Sequence, residues 1–255
     1  CFFDTTETFS IFSEKSFFTF GTSFFIFTFS FTRLFWLLIL FDYNLEFLAV
    51  WEEGQKGDGT AENPYQITDK YEFDAVRNDL NAHYILMNDI DMKDVKTWTP
   101  IGNGKFIGSV SGGNQHVSTY EGAAFQGTFD GQGNSIRNLK LVADLTADQT
   151  AYGLFGILDG ATVKNLTIGA PEGDSSELSF HSANGSDVGV IAGAVMSSTI
   201  ENCVNYAPMH ARGTGVDNVR ATMGAFGGFV YADEEKGGSV LKDLVNYGTI
   251  TAEGD

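Results

Sequence analysis

The chain of 255 residues contains few cysteines and few basic residues, and each shortage argues against a class of function. Cys1 and Cys203 lie in dissimilar parts of the chain without CxxC spacing, so neither a disulfide framework nor a cysteine-based metal site is predicted. Lysine and arginine number 15 against 33 acidic residues, which gives a net charge of -18. Because a strongly acidic chain repels phosphate groups, the composition argues against nucleic acid and anionic membrane surfaces as partners.

Catalytic and cofactor-binding motifs are also missing from the sequence. The four histidines have no histidine or cysteine partner at metal-ligand spacing, and HExxH does not occur; they are His83, His116, His181 and His210. The chain has neither the GxSxG motif of a nucleophilic serine nor the GxxxxGKS or GxxxxGKT motif that binds phosphate. We therefore expect a protein that is not an enzyme and that needs no cofactor.

Phenylalanine and glycine divide the chain into dissimilar parts. Residues 1–50 hold 15 of the 23 phenylalanines and one of the 30 glycines, whereas residues 51–255 hold the other 29 glycines. No single globular composition produces both parts, so we predict a separate N-terminal extension over 1–50. Residues 51–100 are predicted to form a cap region with a short helix, followed by a repeat region over 101–255.

The N-terminal extension has three interpretations. The run 24–41 has 18 residues with Arg33 as its one charge, which is near the minimum for a membrane anchor. The apolar stretch 34–41 after Arg33 also suits the core of a signal peptide. A non-native translated extension is the third interpretation. A membrane is expected as a partner only if this segment is an anchor.

The cap region contains one helical pattern. Phe73, Val76 and Leu80 recur at i, i+3 and i+7, and Thr68 or Asp69 can cap the first turn. We predict a short helix here that covers the open N-terminal end of the repeat region.

Beyond residue 100 the sequence repeats itself. Four short segments align, and they are IRNL (136–139), VKNL (163–166), IENC (200–203) and LKDL (241–244). Glycine-rich apolar stretches precede the last three, at 153–158, 189–194 and 224–229. The sequences that follow the last two segments are also similar to each other, NCVNYAPM at 202–209 and DLVNYGTI at 243–250. Such periodicity predicts units that bury their apolar side chains by stacking on one another.

Each repeat contains a residue suited to a corner. Strict alternation along IRNL would place Ile136 and Leu139 on opposite faces, but a left-handed corner between them brings both inside. Asparagine tolerates that conformation, and we predict stacked structural corners at Asn138, Asn165, Asn202 and Asp243. The predicted fold is all-β, a solenoid of short parallel strands.

These residues resemble a known family of repeats. GLFG (153–156) followed by VKNL (163–166) resembles the GLUG repeat of bacterial, adhesin-like surface proteins. GDGTAENPYQI (57–67), YILMNDIDM (84–92) and FQGTFDGQGNSIRNLKL (125–141) are similar to the text that precedes such repeats, including that in non-catalytic N-terminal regions of IgA-specific metalloproteases. The resemblance covers about residues 57–255. It implies a right-handed parallel β-helix at the cell surface or outside the cell, and it brings no catalytic residue.

Three aspartates have a spacing that could bind calcium. Asp89, Asp91 and Asp94 form a DxDxxD pattern, and calcium prefers oxygen ligands. The pattern lacks the glycine and the terminal glutamate of an EF-hand loop. We favour hydrogen bonding by short acidic side chains over calcium binding here.

Two tyrosines occupy equivalent repeat positions. Tyr206 and Tyr247 follow the same VN dipeptide, so we expect them to stack as neighbours. Exposed aromatic rings can bind sugars, but a structural ladder is the favoured interpretation.

The predicted function is that of a non-enzymatic extracellular or cell-surface module for adhesion or spacing, with a glycan or a host or neighbour-cell surface protein as partner. A second hypothesis is a carbohydrate-active β-helix enzyme or its glycan-binding fragment; three or more carboxylates converging with lysine or arginine in an outer groove would favour it. A third is the non-catalytic arm of a longer surface protease. The sequence stops after a strand-like stretch (247–251) without a cap, so we expect a longer parent protein.

Overall fold

The computed structural model describes residues 26–30, 34–38, 56–112, 115–145, 150–182, 185–213, 222–231 and 236–254. The chain divides into two compact units, Cys1–Lys56 and Gly57–Asp255. In the first unit, β1 (Ile26–Ser30) and β2 (Leu34–Leu38) form an antiparallel pair. The rest of the predicted extension lies outside the described residues. No helix among the described residues is long and apolar enough to cross a membrane.

All but two of the regular elements in the described part of the second unit are strands. In chain order its elements are β3 (Tyr65–Ile67), α1 (Lys70–Asp74), a 3₁₀ helix (Ala75–Asn78), β4 (His83–Leu86), β5 (Ile90–Asp91), β6 (Gly104–Gly112), β7 (Gln115–Gly122), β8 (Thr128–Asp130), β9 (Ser135–Arg137), β10 (Lys140–Leu145), β11 (Thr150–Tyr152), β12 (Phe155–Asp159), β13 (Thr162–Lys164), β14 (Thr167–Ile168), β15 (Glu177–Ser182), β16 (Ser186–Gly189), β17 (Ala192–Met196), β18 (Thr199–Asn205), β19 (Met209–Gly213), β20 (Thr222–Gly224), β21 (Gly227–Tyr231), β22 (Val240–Asn246) and β23 (Ile250–Gly254).

Successive passes of the chain stack as parallel coils. Strands β8, β13, β18 and β22 form one continuous parallel face, in which Thr128, Thr162, Thr199 and Val240 occupy one column. A second face stacks β10, β15, β19 and β23, and a third stacks β12, β17 and β21. The antiparallel hairpin β6–β7 interrupts the coils and pairs with β11. The all-β prediction with parallel sheets is therefore confirmed.

The predicted helix is shorter than its sequence pattern. Asp69 caps α1 and accepts hydrogen bonds from the backbone N–H groups of Tyr71 and Glu72. The chain then tightens into the 3₁₀ helix and becomes extended at Asp79, so Leu80 lies beyond it. Phe73 and Val76 are fully buried. The Phe73 ring stacks on that of Trp98 with centroids 4.6 Å apart.

All four predicted corner residues have a left-handed backbone. The φ angles are 55° at Asn138, 53° at Asn165, 52° at Asn202 and 54° at Asp243. Lys164 pairs with Glu201, and Glu201 pairs with Lys242, so Asn165, Asn202 and Asp243 stack in one column. The Asn202 side chain donates to Asn165 Oδ1 at 2.7 Å.

Asn138 does not join this column, so the prediction of a four-membered ladder is wrong. Ile136 pairs with Ile168, which lies after the Asn165 corner of the next coil. Asn138 follows Ile136, so it occupies the next corner of its coil and not the one equivalent to Asn165. The turn around Gln132 takes the first corner instead, and the Gly133 N–H donates to the Asn165 carbonyl. The IRNL and VKNL motifs look alike, but the extra glycine turn shifts their register by one corner.

Replacing Asn202 tests the corner column. We expect Asn202→Ala to lower the free energy of unfolding by about 1–2 kcal/mol, because alanine pays the steric cost of the left-handed conformation. Asn202→Gly should lower the free energy of unfolding by less, because glycine adopts a positive φ freely and this variant loses only the hydrogen bond to Asn165. Urea unfolding of the two variants measures the difference. Equal losses would contradict the argument from backbone conformation.

Candidate functional site

The outer surface at the Asn138 corner carries a groove of about 530 Å³. It is lined by charged and polar side chains from three coils, including Asp89, Asp91, Lys93, Arg137, Asn138 and Asp174. Three carboxylates therefore face the same groove as one arginine and one lysine. Three carboxylates beside lysine and arginine in an outer groove favour a carbohydrate-active or glycan-binding surface.

Hydrogen bonds hold the groove residues in place. Asn138 Nδ2 donates to Asp91 Oδ1 at 2.7 Å, and the Asn138 backbone N–H donates to Asp174 Oδ1 at 3.1 Å. Asn138 Oδ1 accepts from both the backbone N–H and the hydroxyl of Ser175, each at 2.9 Å. The Ser176 N–H donates to Asp174 Oδ1 at 2.6 Å. Asn138 thus connects the coil that carries Asp91 with the one that carries Asp174.

Two buried polar atoms of the groove make no hydrogen bond. They are Asp174 Oδ2 and Arg137 Nε, and Tyr231 Oη is the third such atom in the described part of the chain. A buried polar atom without a partner costs about 1–3 kcal/mol. Both atoms lie beneath the groove, on residues that line it.

Asp91 is held in its ionised form. Hydrogen bonds from Asn138 and from the Lys93 backbone, together with the nearby positive charges of Lys93 and Arg137, hold the pKa of Asp91 below its ordinary value. A carboxylate that stays ionised accepts hydrogen bonds well, but it is a poor general acid near neutral pH. The groove is therefore suited to binding hydroxyl or amide donors.

A column of equivalent backbone positions continues from the groove along the stacked coils. Asp91 pairs with Arg137, the Gly169 N–H donates to the Ile136 carbonyl, and the Tyr206 N–H donates to the Ile168 carbonyl. The Tyr247 N–H then donates to the Asn205 carbonyl. The column thus consists of Asp91, Arg137, Gly169, Tyr206 and Tyr247, one residue from each of five coils.

Gly169 is the middle position of this column, between Arg137 and Tyr206. It has a φ of 77°, and a Cβ placed there would lie 3.1 Å from Asp174 Oδ2 and 3.4 Å from Tyr206 Cβ. Asp174 thus lies close to the tyrosine end as well as to Asn138. Gly169 itself is buried, so the Asp174 side chain covers this position of the column.

The two tyrosines stack as predicted from their repeat positions. The ring centroids of Tyr206 and Tyr247 are 4.9 Å apart with an interplanar angle of 11°, and Tyr247 is 66% exposed. The preceding asparagines support the corner from inside. Asn205 Nδ2 donates to the carbonyl of Ala207 at 2.9 Å and to Asn246 Oδ1 at 2.8 Å. In both copies of the VNY sequence, the asparagine side chain thus points into the corner and the tyrosine side chain points outward.

The structure does not gather the three calcium candidates around one point. Asp89 Oδ1 accepts from the Ser135 N–H at 2.8 Å, and Asp91 bonds to Asn138. Asp94 instead forms a salt bridge of 3.1 Å with Lys70. Among the described residues, no group of three histidine, cysteine or acidic side chains could hold a metal ion. Asp89 and Asp91 contribute to the groove, whereas Asp94 does not line it.

Addition of calcium is expected to leave the stability of the chain unchanged. The carboxylates are already engaged by protein donors, so a calcium ion would gain few new ligands. Thermal melting in calcium and in a chelator should give the same midpoint. A midpoint that rises with calcium concentration would contradict this expectation, because a ligand that binds the folded state raises its stability.

Sequence reasoning found Asp89 and Asp91 but missed Arg137, Asn138 and Asp174 as their partners. Asp174 lies in the segment between β14 and β15, more than 80 residues along the chain from Asp91. A motif search provides no signal for this arrangement, because its members come from three coils.

Comparisons with known proteins give partial matches. No family model matches the chain. It is 31% identical over 156 residues, 59% of its length, to "Halomucin" of Haloquadratum walsbyi, of which it spans 2%. It is 32% identical over 119 residues, 41% of its length, to the "Putative Gly-rich membrane protein" of Evansella cellulosilytica, of which it spans 14%.

One solved structure also matches. It is described as a "putative immunoglobulin A1 protease" from Bacteroides ovatus, with a TM-score of 0.43 and 19% identity, over 77% of this chain and 61% of the other. The chain thus spans a small fraction of the two sequence relatives and about three-fifths of the solved chain.

Proposed function

We propose that the chain is a non-enzymatic module of a cell-surface or extracellular protein, built as a right-handed parallel β-helix of the GLUG-repeat type and used for adhesion. The observation that carries this proposal is the outer groove, set on a regular stack of parallel coils. An extended stack presents a long surface and projects it away from an attachment point. The membrane-protein description of one relative supports a surface location.

The groove favours binding over catalysis. Asp91 and Asp174 each accept hydrogen bonds from an asparagine or from backbone N–H groups, which keeps them oriented as acceptors. The lowered pKa of Asp91 leaves this carboxylate unsuited to donating a proton. A glycan is the partner that best suits such a surface, since sugars offer many hydroxyl donors.

A carbohydrate-active enzyme is the second candidate, and three carboxylates beside Arg137 and Lys93 favour it. Incubation of the purified chain with a polysaccharide panel separates the two candidates. We expect retention on one or more polysaccharides with no new reducing ends and no unsaturated products. Steady product release that increases with protein concentration would overturn the non-enzymatic proposal. Retention on none would rule out a polysaccharide from the panel as the partner and would leave a surface protein or a spacer role.

A further inference from the structure

We infer that the outer column from Asp91 to Tyr247, with the adjoining groove, is one extended binding site for an uncharged polysaccharide chain. This inference rests on the proposed adhesive function and names its ligand and its site. The ligand would lie along the stack of coils, with its hydroxyl groups toward the carboxylates, Asn138 and Arg137. Its apolar surface would contact the tyrosine pair.

The spacing of the column suits a polymer. Neighbouring strands lie about 4.8 Å apart, so the five consecutive coils place Asp91 and Tyr247 about 19 Å from each other. Asp91, Arg137, Tyr206 and Tyr247 present side chains along this line, and Asp174 covers the buried Gly169 between them. The interval between neighbouring coils is similar to the rise of one pyranose unit along an extended polysaccharide. Equivalent positions on successive coils can thus meet equivalent positions on successive sugars.

The two ends of the column have complementary chemistry. At the groove end, the exposed carboxylates of Asp89 and Asp91 can accept hydrogen bonds, and Arg137 and Lys93 can donate them, which is the set that neighbouring sugar hydroxyls require. At the other end, Tyr247 exposes two-thirds of its surface and stacks on Tyr206. Aromatic surface that carries a polar hydroxyl suits a sugar, which is apolar on its C–H faces and polar at its edges.

Charge selects among glycans. Three aspartates against one arginine and one lysine leave the groove slightly negative, and the whole chain carries a net charge of -18. A polyuronate would be repelled. An uncharged hexose or pentose polymer satisfies both the acceptors and the donors without that repulsion.

Binding of defined oligosaccharides to the full chain tests this site. Probes are the hexamers and dimers of cellulose, xylan and mannan, with hexamers of galacturonate and of chitosan as the charged comparisons, measured by isothermal titration. We expect an uncharged hexamer to bind best. Tyr247→Ala should weaken hexamer binding by about tenfold and leave dimer binding unchanged. Arg137→Ala should weaken both.

Matched variants separate binding from folding. Tyr71→Ala removes an equally exposed tyrosine on α1, and it should bind as the unmodified chain does. Tyr247→Phe keeps the ring and should retain most of the affinity. If Arg137→Ala does not fold, Lys93→Ala reports on the groove, because Lys93 is exposed and its loss spares the core.

Each outcome has a defined meaning. Unchanged hexamer binding by Tyr247→Ala, or unchanged binding by both groove variants, would overturn the extended site while leaving adhesion through another surface in place. Tighter binding of a charged hexamer would overturn the assignment to an uncharged glycan. If the chain binds none of the probes, the inferred site is wrong, whereas retention on a natural polysaccharide or cell surface would still support the proposed adhesive module.

Discussion

Replacement of Phe155 by alanine is expected to lower the free energy of unfolding by about 3–5 kcal/mol. Phe155 is fully buried, and its ring centroid lies 4.9 Å from that of Phe125 and 5.7 Å from that of Phe129. These rings come from two successive coils, so the truncation leaves a cavity between coils that the rigid backbone ladder cannot close. The loss should therefore exceed the transfer free energy of the ring alone.

Urea unfolding followed by circular dichroism measures this loss. Tyr71→Ala is the control, because Tyr71 is 74% exposed and its removal should change the free energy of unfolding by less than about 0.5 kcal/mol. A similar small change for Phe155→Ala would contradict the described packing of the aromatic core.

The second large effect is expected at the glycine column of β12, β17 and β21. Gly156, Gly193 and Gly228 occupy equivalent positions on these three strands. A Cβ at Gly193 would lie 2.1 Å from the Tyr152 nitrogen and 2.5 Å from the Asp187 carbonyl oxygen. Both atoms belong to backbone already paired in β11 and β16, so they cannot move aside without breaking ladder hydrogen bonds.

We expect Gly193→Ala to lower the free energy of unfolding by about 1–3 kcal/mol, and Gly193→Val to lower it further. Gly213→Ala is the matched control in another strand, β19. It has no positive φ, and a Cβ there meets no heavy atom within 4 Å. Alanine at this position should be neutral or slightly stabilising. The comparison uses the same unfolding measurement, and equal effects at both glycines would refute the close-approach argument.

The column also explains the glycine-rich stretches that recur through the sequence. Gly156 and Gly228, like Gly193, would place a Cβ less than 3.0 Å from backbone atoms of another segment. The structure identifies the obstacle as main chain rather than side chain, because the chain doubles back closely before each of these strands.

Local pattern was sufficient for several features. The stacked corners at Asn165, Asn202 and Asp243 followed from the need to turn an alternating strand inward, which few residues other than asparagine, aspartate and glycine allow. The Tyr206–Tyr247 pair followed from repeat equivalence. The helix start was predicted from two candidate caps, Thr68 and Asp69, and the structure selects Asp69. Each of these features depends on residues that are close in the sequence or that recur in equivalent repeats, so the sequence pattern is enough to predict it.

Sequence periodicity was therefore sufficient for the strand-and-corner unit, its repetition and the faces on which its side chains lie. Which units adjoin depended on the tertiary structure. The tertiary structure places Asn138 at a different corner from Asn165 and connects Asp91 to Asp174 through hydrogen bonds with Asn138. It also pairs Asp94 with Lys70 in a salt bridge, outside the groove. The reason is that alternation along a strand determines the side on which a residue lies. The length of each inserted turn, and the backbone pairing between coils, determine what it lies against.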